Sequence, residues 1–269
     1  MPKEMLPIVD KPLIQYGVEE ALAAGCDQII IVTGRGKTSI EDHFDHSYEL
    51  EKLLEEKNKT DLLTIVRQIS DMIHVAYVRQ KEAMGLGHAV LMARELVGNE
   101  PFAVLLADDM IDAEKPALRQ MIEAYEQTGS SILATMEVEG PAISSYGVID
   151  AEPVENNDRL FKVKTMVEKP KREEAPSNLA IIGRYILTPA IFDELDQTPL
   201  GAGGELQLTD GIRRLLQRES VYGYKFEGKR HDAGDKLGFL KATVEYALKR
   251  SDLGPEFREY LNEQLSTSN

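Results

Sequence analysis

The run from Phe102 to Ala107 (FAVLLA) is apolar at every position and is closed by the pair Asp108-Asp109. A strand with one wet face alternates apolar and polar residues, whereas an unbroken apolar run belongs in a sheet covered on both faces, as a central parallel strand is. Two further runs have strand character. Gln28 to Thr33 (QIIIVT) reads as a fully buried strand and is broken by Gly34-Arg35-Gly36-Lys37, and His74 to Arg79 (HVAYVR) precedes the turn Gly85-Leu86-Gly87 and a helix to about Val97. Helical periodicity fills the intervals. Leu13, Ile14, Gly17, Val18, Ala21 and Leu22 recur with a 3.6-residue period behind Pro12 and ahead of Gly25, a helix C-cap. Leu118 to Thr128 suits another helix before the strand Ser131 to Val138. This alternation predicts an α/β fold, a Rossmann-like, mostly parallel or mixed sheet flanked by helices.

Beyond residue 140 the rhythm changes. Tyr146–Asp150, Phe161–Glu168 and Leu179–Leu187 are strand candidates with short connections, which implies antiparallel or mixed additions to the sheet. Glu205–Arg218 and Asp235–Arg250 are helical, and a last helix follows Pro255. The charge-dense stretch from Ile40 to Leu63 reads as exposed helices. No repeat or low-complexity linker divides the chain, so residues 1–269 are expected to form a single domain with a helical tail from about 235.

The 269 residues carry a formal net charge of -15, a field that repels a phosphodiester backbone and argues against nucleic acid as a partner. No apolar stretch is long enough to span a bilayer, so no membrane partner is expected. Cys26 is the only cysteine, which excludes an intramolecular disulfide and suits the cytoplasm. The five histidines (43, 46, 74, 88 and 231) have no zinc-like spacing.

The polar residues with most to say stand at strand ends. In an open α/β sheet, ligands gather at the carboxyl ends of the strands. Asp108 and Asp109 sit at one such end, and Asp232, in Arg230-His231-Asp232-Ala233-Gly234-Asp235, follows another strand-like run. Adjacent carboxylates repel unless a cation or hydrogen bonds compensate, and Asp108 with Asp232 could share a magnesium ion over a phosphate. Helix capping and a plain turn are the competing readings of these acids. Gln80 and Gly85 flank a strand-to-helix turn where backbone can approach a flat ligand and an amide can read a base edge, although a structural turn accounts for them too. Glu168-Lys169-Pro170 places a hydroxyl acceptor beside a cation, and Glu205 lies in a glycine-flanked segment; a solvated strand end and a helix start are the alternatives. His88 reads as a packing or capping residue. Gly34-Arg35-Gly36-Lys37-Thr38 lacks the first glycine of a Walker A loop, since Ile31 stands there, and is expected to be an ordinary turn.

Taken in order, several segments resemble the bacterial UTP–glucose-1-phosphate uridylyltransferases of the sugar-nucleotidyltransferase family. They are PKEMLPIVDKPLIQY from Pro2, IVTGRGK from Ile31, IEDHFD from Ile40, Arg79-Gln80 with GLGHA from Gly85, and LADD from Leu106. YGV from Tyr146, VEKP from Val167, IGRY from Ile182, GELQLTD from Gly204 and DAGDKLG from Asp232 complete the set. The resemblance covers essentially the whole chain. It implies a nucleotidyltransferase-type sheet and magnesium-dependent transfer of a uridylyl group from UTP to glucose 1-phosphate, giving UDP-glucose and pyrophosphate. By the same similarity Gln80 and Gly85 read uracil, and Asp108 and Asp232 hold Mg2+. Gly147, Glu168 and Glu205 contact the glucose, Lys169 its phosphate, and Lys3 sits beside the reacting phosphates. A homodimer or homotetramer is in keeping with it. The family's first strand and its glycine-rich loop with a Gly-Thr-Arg triplet lie upstream of the Pro-Lys-Glu-Met segment; the sequence starts at that segment, so Met1 is expected to be an internal methionine of a longer protein. Thymidylyl transfer and a non-catalytic sugar-nucleotide-binding paralogue are the alternative readings.

Overall fold

The computed structural model describes residues 1–267. A single 3-10 turn at Lys3–Met5 leads into a small antiparallel hairpin of β1 (Pro7–Ile8) and β2 (Lys11–Pro12). Helix α1 (Leu13–Ala24) follows at once, buries Leu13, Ile14, Val18 and Ala21, and stops at Gly25, whose φ of 100° suits glycine. Strand β3 (Gln28–Thr33) is followed by α2 (Thr38–Phe44), α3 (Tyr48–Glu56) and α4 (Thr60–Ser70) before β4 (His74–Arg79), which pairs with β3 in parallel. Helices α3 and α4 each bury one leucine, Leu54 and Leu63, and share an Arg67–Glu51 contact of 2.8 Å; they are the exposed charged helices that the composition implies.

Next come α5 (Leu86–Met92), α6 (Arg94–Val97), β5 (Phe102–Leu105), β6 (Asp109–Asp112), α7 (Ala117–Thr128), β7 (Ser131–Glu137), β8 (Gly147–Val154), β9 (Asn157–Glu168) and β10 (Leu179–Leu187). The chain ends with α8 (Ala190–Gln197), α9 (Leu208–Leu215), β11 (Val221–Lys225), β12 (Lys229–Asp232), α10 (Lys236–Lys249) and α11 (Gly254–Thr267). A six-stranded sheet in the order β5-β10-β7-β11-β9-β8 forms the centre. Its side chains alternate between two cores, as the two-residue period of a strand requires. Leu133, Tyr185 and Leu187 face Ile191, Phe192 and Leu195 of α8 and Ile212 of α9. Ile132, Ile182 and Ile186 face Leu118 and Met121 of α7 and Ala21 of α1. Strand β10 lies between β5 and β7 with helices on both sides, and all nine of its residues are buried.

The α/β class and the helix-flanked, mixed sheet stand as the sequence predicts, and two strand placements differ. The run Phe102–Ala107 is expected as a central parallel strand; β5 instead ends the six-stranded order and pairs antiparallel with β10, Val104 opposite Tyr185. The segment Leu179–Leu187, expected as an addition, is the strand that separates β5 from β7. Apolar content reports coverage of both faces but not the direction or position of a strand, which the connections decide. Likewise β3 buries only Ile31 and Thr33, because among the described residues β4 is its one ladder partner.

A second, smaller pairing matters most for function. Strands β6 and β12, separated by more than a hundred residues, form an antiparallel ribbon with Asp109 opposite Asp232 and Met110 opposite His231. Its apolar side packs into a cluster of Ile8, Leu13, Met110, Ala233 and Ala242, so helix α10 closes over the ribbon and belongs to the body of the fold. The side chain of Asp235 caps α10 by accepting from the Leu237 and Gly238 amides.

Candidate active site

The ribbon brings the two aspartate turns together. Asp108 immediately precedes β6, Asp232 ends β12, and the Ala233 amide donates to the Asp108 carbonyl at 2.9 Å. A Cβ built on Gly234 would lie 3.0 Å from Asp232 Oδ1 and 3.1 Å from Asp108 Oδ2, so both carboxylates converge on one point. A side chain there would fill the space between them. Lys3 reaches the same place, its Nζ 2.5 Å from Asp108 Oδ2. Burial opposes the lysine charge, but Asp108, Glu4 and Asp232 outweigh it and raise the Lys3 pKa above the ordinary value. Two hard carboxylate donors at one spot are a donor set that suits a hard divalent cation.

Two arginines that sequence reasoning leaves aside hold this arrangement. Arg230 donates from Nε to Asp109 Oδ1 at 2.5 Å, from Nη1 to Tyr146 Oη at 2.8 Å and from Nη2 to Asp232 Oδ2 at 3.0 Å, so one guanidinium ties both strands of the ribbon to the loop ahead of β8. Burial pushes the Asp109 carboxyl above the usual carboxylate range, with Arg230 and Arg184 acting against that rise. Arg184, 1% exposed, donates to Glu20 Oε2 at 2.9 and 3.1 Å, to the Leu106 carbonyl at 2.9 Å and to the Asp109 carbonyl at 2.6 Å. It thereby fixes the turn that presents Asp108. The signal was present in the Ile182-Gly183-Arg184-Tyr185 motif and the arginine of the Arg230-His231-Asp232 turn, but no rule of spacing links either to a carboxylate so distant in sequence. Gly183 is required by the same turn, because a Cβ there would come within 2.5 Å of Asp109 Oδ2.

A cavity of about 250 Å³ opens beside the aspartates, lined by Asp108, Asp232 and Arg230 on one side and by Tyr146, Gly147, Glu168 and Thr209 on the other. Gly147 and Glu168 are register partners on β8 and β9. Thr209 Oγ1 donates to Glu168 Oε2 at 2.7 Å and holds that carboxylate toward the cavity. A Cβ on Gly147 would stand 3.1 Å from the same oxygen, so the glycine keeps the cavity open there. Lys169 adopts a left-handed backbone, φ 45°, pinned by its amide's 3.0 Å bond to the Tyr146 carbonyl; its ammonium is largely exposed, 4.0 Å from Glu168 Oε1. A strained non-glycine residue of this kind is common where a side chain must be aimed. Glu205 is exposed and accepts from Gln207 Nε2 at 3.2 Å, next to the cavity residues Gln207 and Thr209 rather than among them.

The glycine turn forms the neighbouring wall. The Leu206 amide donates to the Met84 carbonyl at 2.7 Å and the Gly87 amide to the Leu206 carbonyl at 2.9 Å, which knits Gly85 to the Glu205 segment. Gly85, at φ 96°, has no room for a Cβ, which would meet Leu206 O at 2.7 Å. Gln80 lies at the end of β4, its amide bonded to the Thr33 carbonyl at 2.8 Å. Neither Gln80 nor Gly85 lines the 250 Å³ cavity itself. Lys37 of the Gly-Arg-Gly-Lys turn pairs with Glu4 at 2.6 Å, in keeping with an ordinary turn. The structure thus gathers Lys3, Asp108, Asp232, Gly147 and Glu168 closely, with Lys169, Glu205, Gln80 and Gly85 around them.

Comparison with known proteins gives the family. The nucleotidyl transferase family profile matches residues 1–249. UTP--glucose-1-phosphate uridylyltransferase 2 of Staphylococcus saprophyticus is 55% identical over 261 residues, 97% of this chain and 90% of that protein. The UTP--glucose-1-phosphate uridylyltransferase of Staphylococcus haemolyticus is 55% identical over 263 residues, 98% of this chain and 91% of its own length. Among solved structures, a UDP-glucose pyrophosphorylase complexed with UDP-glucose has a TM-score of 0.85 at 48% identity, covering 93% of this chain and 92% of its own. The UTP-bound UGPase of Acinetobacter baumannii has a TM-score of 0.90 at 41% identity, covering 98% and 92%. With the family profile over residues 1–249 and relatives 55% identical over nearly its whole length, the chain belongs to the nucleotidyl transferase family, among the UTP–glucose-1-phosphate uridylyltransferases.

Proposed function

We propose that the protein transfers a uridylyl group from UTP to glucose 1-phosphate, giving UDP-glucose and pyrophosphate, in the cytoplasm and as a homo-oligomer. The observation that carries this reading is the convergence of Asp108 and Asp232 on Gly234 beside the cavity walled by Gly147 and Glu168. A phosphate oxygen of glucose 1-phosphate attacks the α-phosphorus of UTP. The bond from that phosphorus to the bridging oxygen breaks, and the electron pair leaves with pyrophosphate. No protein nucleophile and no proton transfer to the protein are needed, so the chain acts by positioning its two substrates and neutralising their charge.

Each residue has a part in that reading. Asp108 and Asp232 would hold Mg2+, which when bound would offset charge at the α-phosphate. Lys3, already beside Asp108, neutralises the reacting phosphates once its partner is otherwise engaged. Glu168, oriented by Thr209, and Glu205 accept from glucose hydroxyls, and Gly147 leaves the sugar room. Lys169 brings the sugar phosphate in by cancelling part of its charge. Gln80 and Gly85 receive the uracil. The test is pyrophosphate release by purified protein given glucose 1-phosphate and magnesium, with UTP and dTTP in competition. Turnover with UTP in preference to dTTP supports the reading. Binding of UDP-glucose with no turnover would sink it, and a preference for dTTP would reassign the nucleotide.

A further inference from the structure

We propose that His88 is a positioning residue that sets base specificity by fixing the side-chain amide of Gln80. The inference rests on the reading of Gln80 as the uracil contact and goes beyond it. Gln80 Nε2 lies 3.2 Å from the Gly85 carbonyl and 2.9 Å from His88 Nδ1. The Gly85 carbonyl can only accept, so the glutamine atom facing it must be the NH2 group and not the oxygen. That choice spends one N–H on Gly85 and aims the other at His88. Nδ1 must then accept, which makes His88 the neutral tautomer with its proton on Nε2. Both donors of the amide are committed, and among the described residues nothing donates to Oε1. Gln80 is therefore held as a pure acceptor, on a backbone anchored by its 2.8 Å bond to the Thr33 carbonyl and beside a glycine packed too closely against Leu206 to admit a Cβ.

A fixed acceptor has a chemical consequence for the pyrimidine it meets. Uracil and thymine present N3–H, a donor that Oε1 can accept. Cytosine presents a bare N3 lone pair in the same place, which Oε1 repels. A glutamine free to turn over its amide would offer NH2 to cytosine and lose that discrimination; the His88–Gly85 clamp prevents the turn. The device selects imide bases over cytosine and makes no distinction between UTP and dTTP. A site built around one hydrogen bond rejects the analogue that cannot make it far better than one that relies on shape.

The test is steady-state kinetics with UTP and CTP for wild type, His88→Phe, His88→Asn and Gln80→Ala. Phenylalanine keeps the ring and removes the acceptor; asparagine restores an acceptor near the Nδ1 position. His88→Phe should lower the UTP-over-CTP ratio of kcat/KM by about 10-fold or more, the size of one lost base-edge discrimination, mainly through KM, and His88→Asn should recover most of it. A ratio within about twofold of wild type in His88→Phe, alongside a loss in Gln80→Ala, overturns the role of His88 while leaving Gln80 in place. An unchanged ratio in Gln80→Ala overturns the uracil assignment itself. Nitrogen NMR of histidine-labelled wild-type protein gives a readout independent of activity. His88 should carry its proton on Nε2, and a proton on Nδ1 would end the proposal whatever the variants do.

Discussion

Asp108 and Lys3 form an ion pair 2.5 Å long at the mouth of the cavity, and Asp232 shares Arg230 with Asp109. Each aspartate therefore has a structural partner as well as its proposed role toward a cation, and the two contributions separate experimentally. Asp108→Asn keeps the size of the side chain and leaves the Ala233–Asp108 backbone bond intact. Turnover should fall by about 100-fold or more while the melting temperature moves by only a few degrees, because a half-exposed ion pair contributes little to stability. Near-normal turnover with magnesium would remove Asp108 from the metal role. Lys169→Ala tests the other end of the cavity. Its ammonium is largely exposed, so the substitution should leave the fold intact and raise KM for glucose 1-phosphate several-fold more than KM for UTP. The opposite ranking would take Lys169 off the sugar phosphate.

At the scale of elements, the β6–β12 ribbon and the turn before it are what join residues 108 and 232. Arg184 is the strut of that turn. Its guanidinium satisfies the Leu106 and Asp109 carbonyls and pairs with Glu20, whose side chain is 9% exposed. Arg184→Leu leaves the buried Glu20 carboxylate without its cation and takes a donor from the Leu106 and Asp109 carbonyls, and should cost about 3–5 kcal/mol, measured as a drop in the urea midpoint at constant slope. Removing Glu20 as well should recover part of that loss, since most of it is the unpaired charge. The glycine turn offers a second check. Gly85→Ala combines a positive φ with a Cβ 2.7 Å from the Leu206 carbonyl, so the turn and the Glu205 segment must part. The expected result is a raised KM for both substrates with the overall fold kept; an unaltered KM for glucose 1-phosphate would show that the two segments act independently.

For the whole molecule, the histidines predict how stability responds to acid. Burial lowers the pKa of His43, which bonds Gln15 Oε1 at 2.9 Å, and burial lowers that of His231 beneath α10. The unfolded chain takes up protons near the ordinary histidine value of about 6.5, whereas the folded chain resists them to lower pH. Stability is therefore fully present above about pH 6.5 and is lost as the pH falls below it, by at most about 1.4 kcal/mol per pH unit for each group. Urea midpoints at pH 7.5 and 5.5 should separate for wild type and lie closer together for His43→Gln. An equal separation in both proteins would remove His43 from the effect.

Much of this protein is legible in its residues alone. The apolar runs at 28–33, 74–79 and 179–187 coincide with strands, the charge-dense stretch 40–63 falls on helices, and Asp108, Glu168 and Asp232 stand out by their chemistry at strand ends, with Gly147 added by the resemblance to the uridylyltransferases. Those features are local: a period of two or 3.6 residues, or a carboxylate where a strand stops, is written in adjacent positions. Three things are not local. The place of β10 between β5 and β7, the ribbon that sets Asp109 opposite Asp232, and the arginines 184 and 230 that brace the aspartates all join residues many tens of positions apart. Strand direction and long-range pairing are settled by which connections let both faces of the sheet be covered at once. A buried arginine finds its carboxylate only after that packing has brought them within a hydrogen bond of each other.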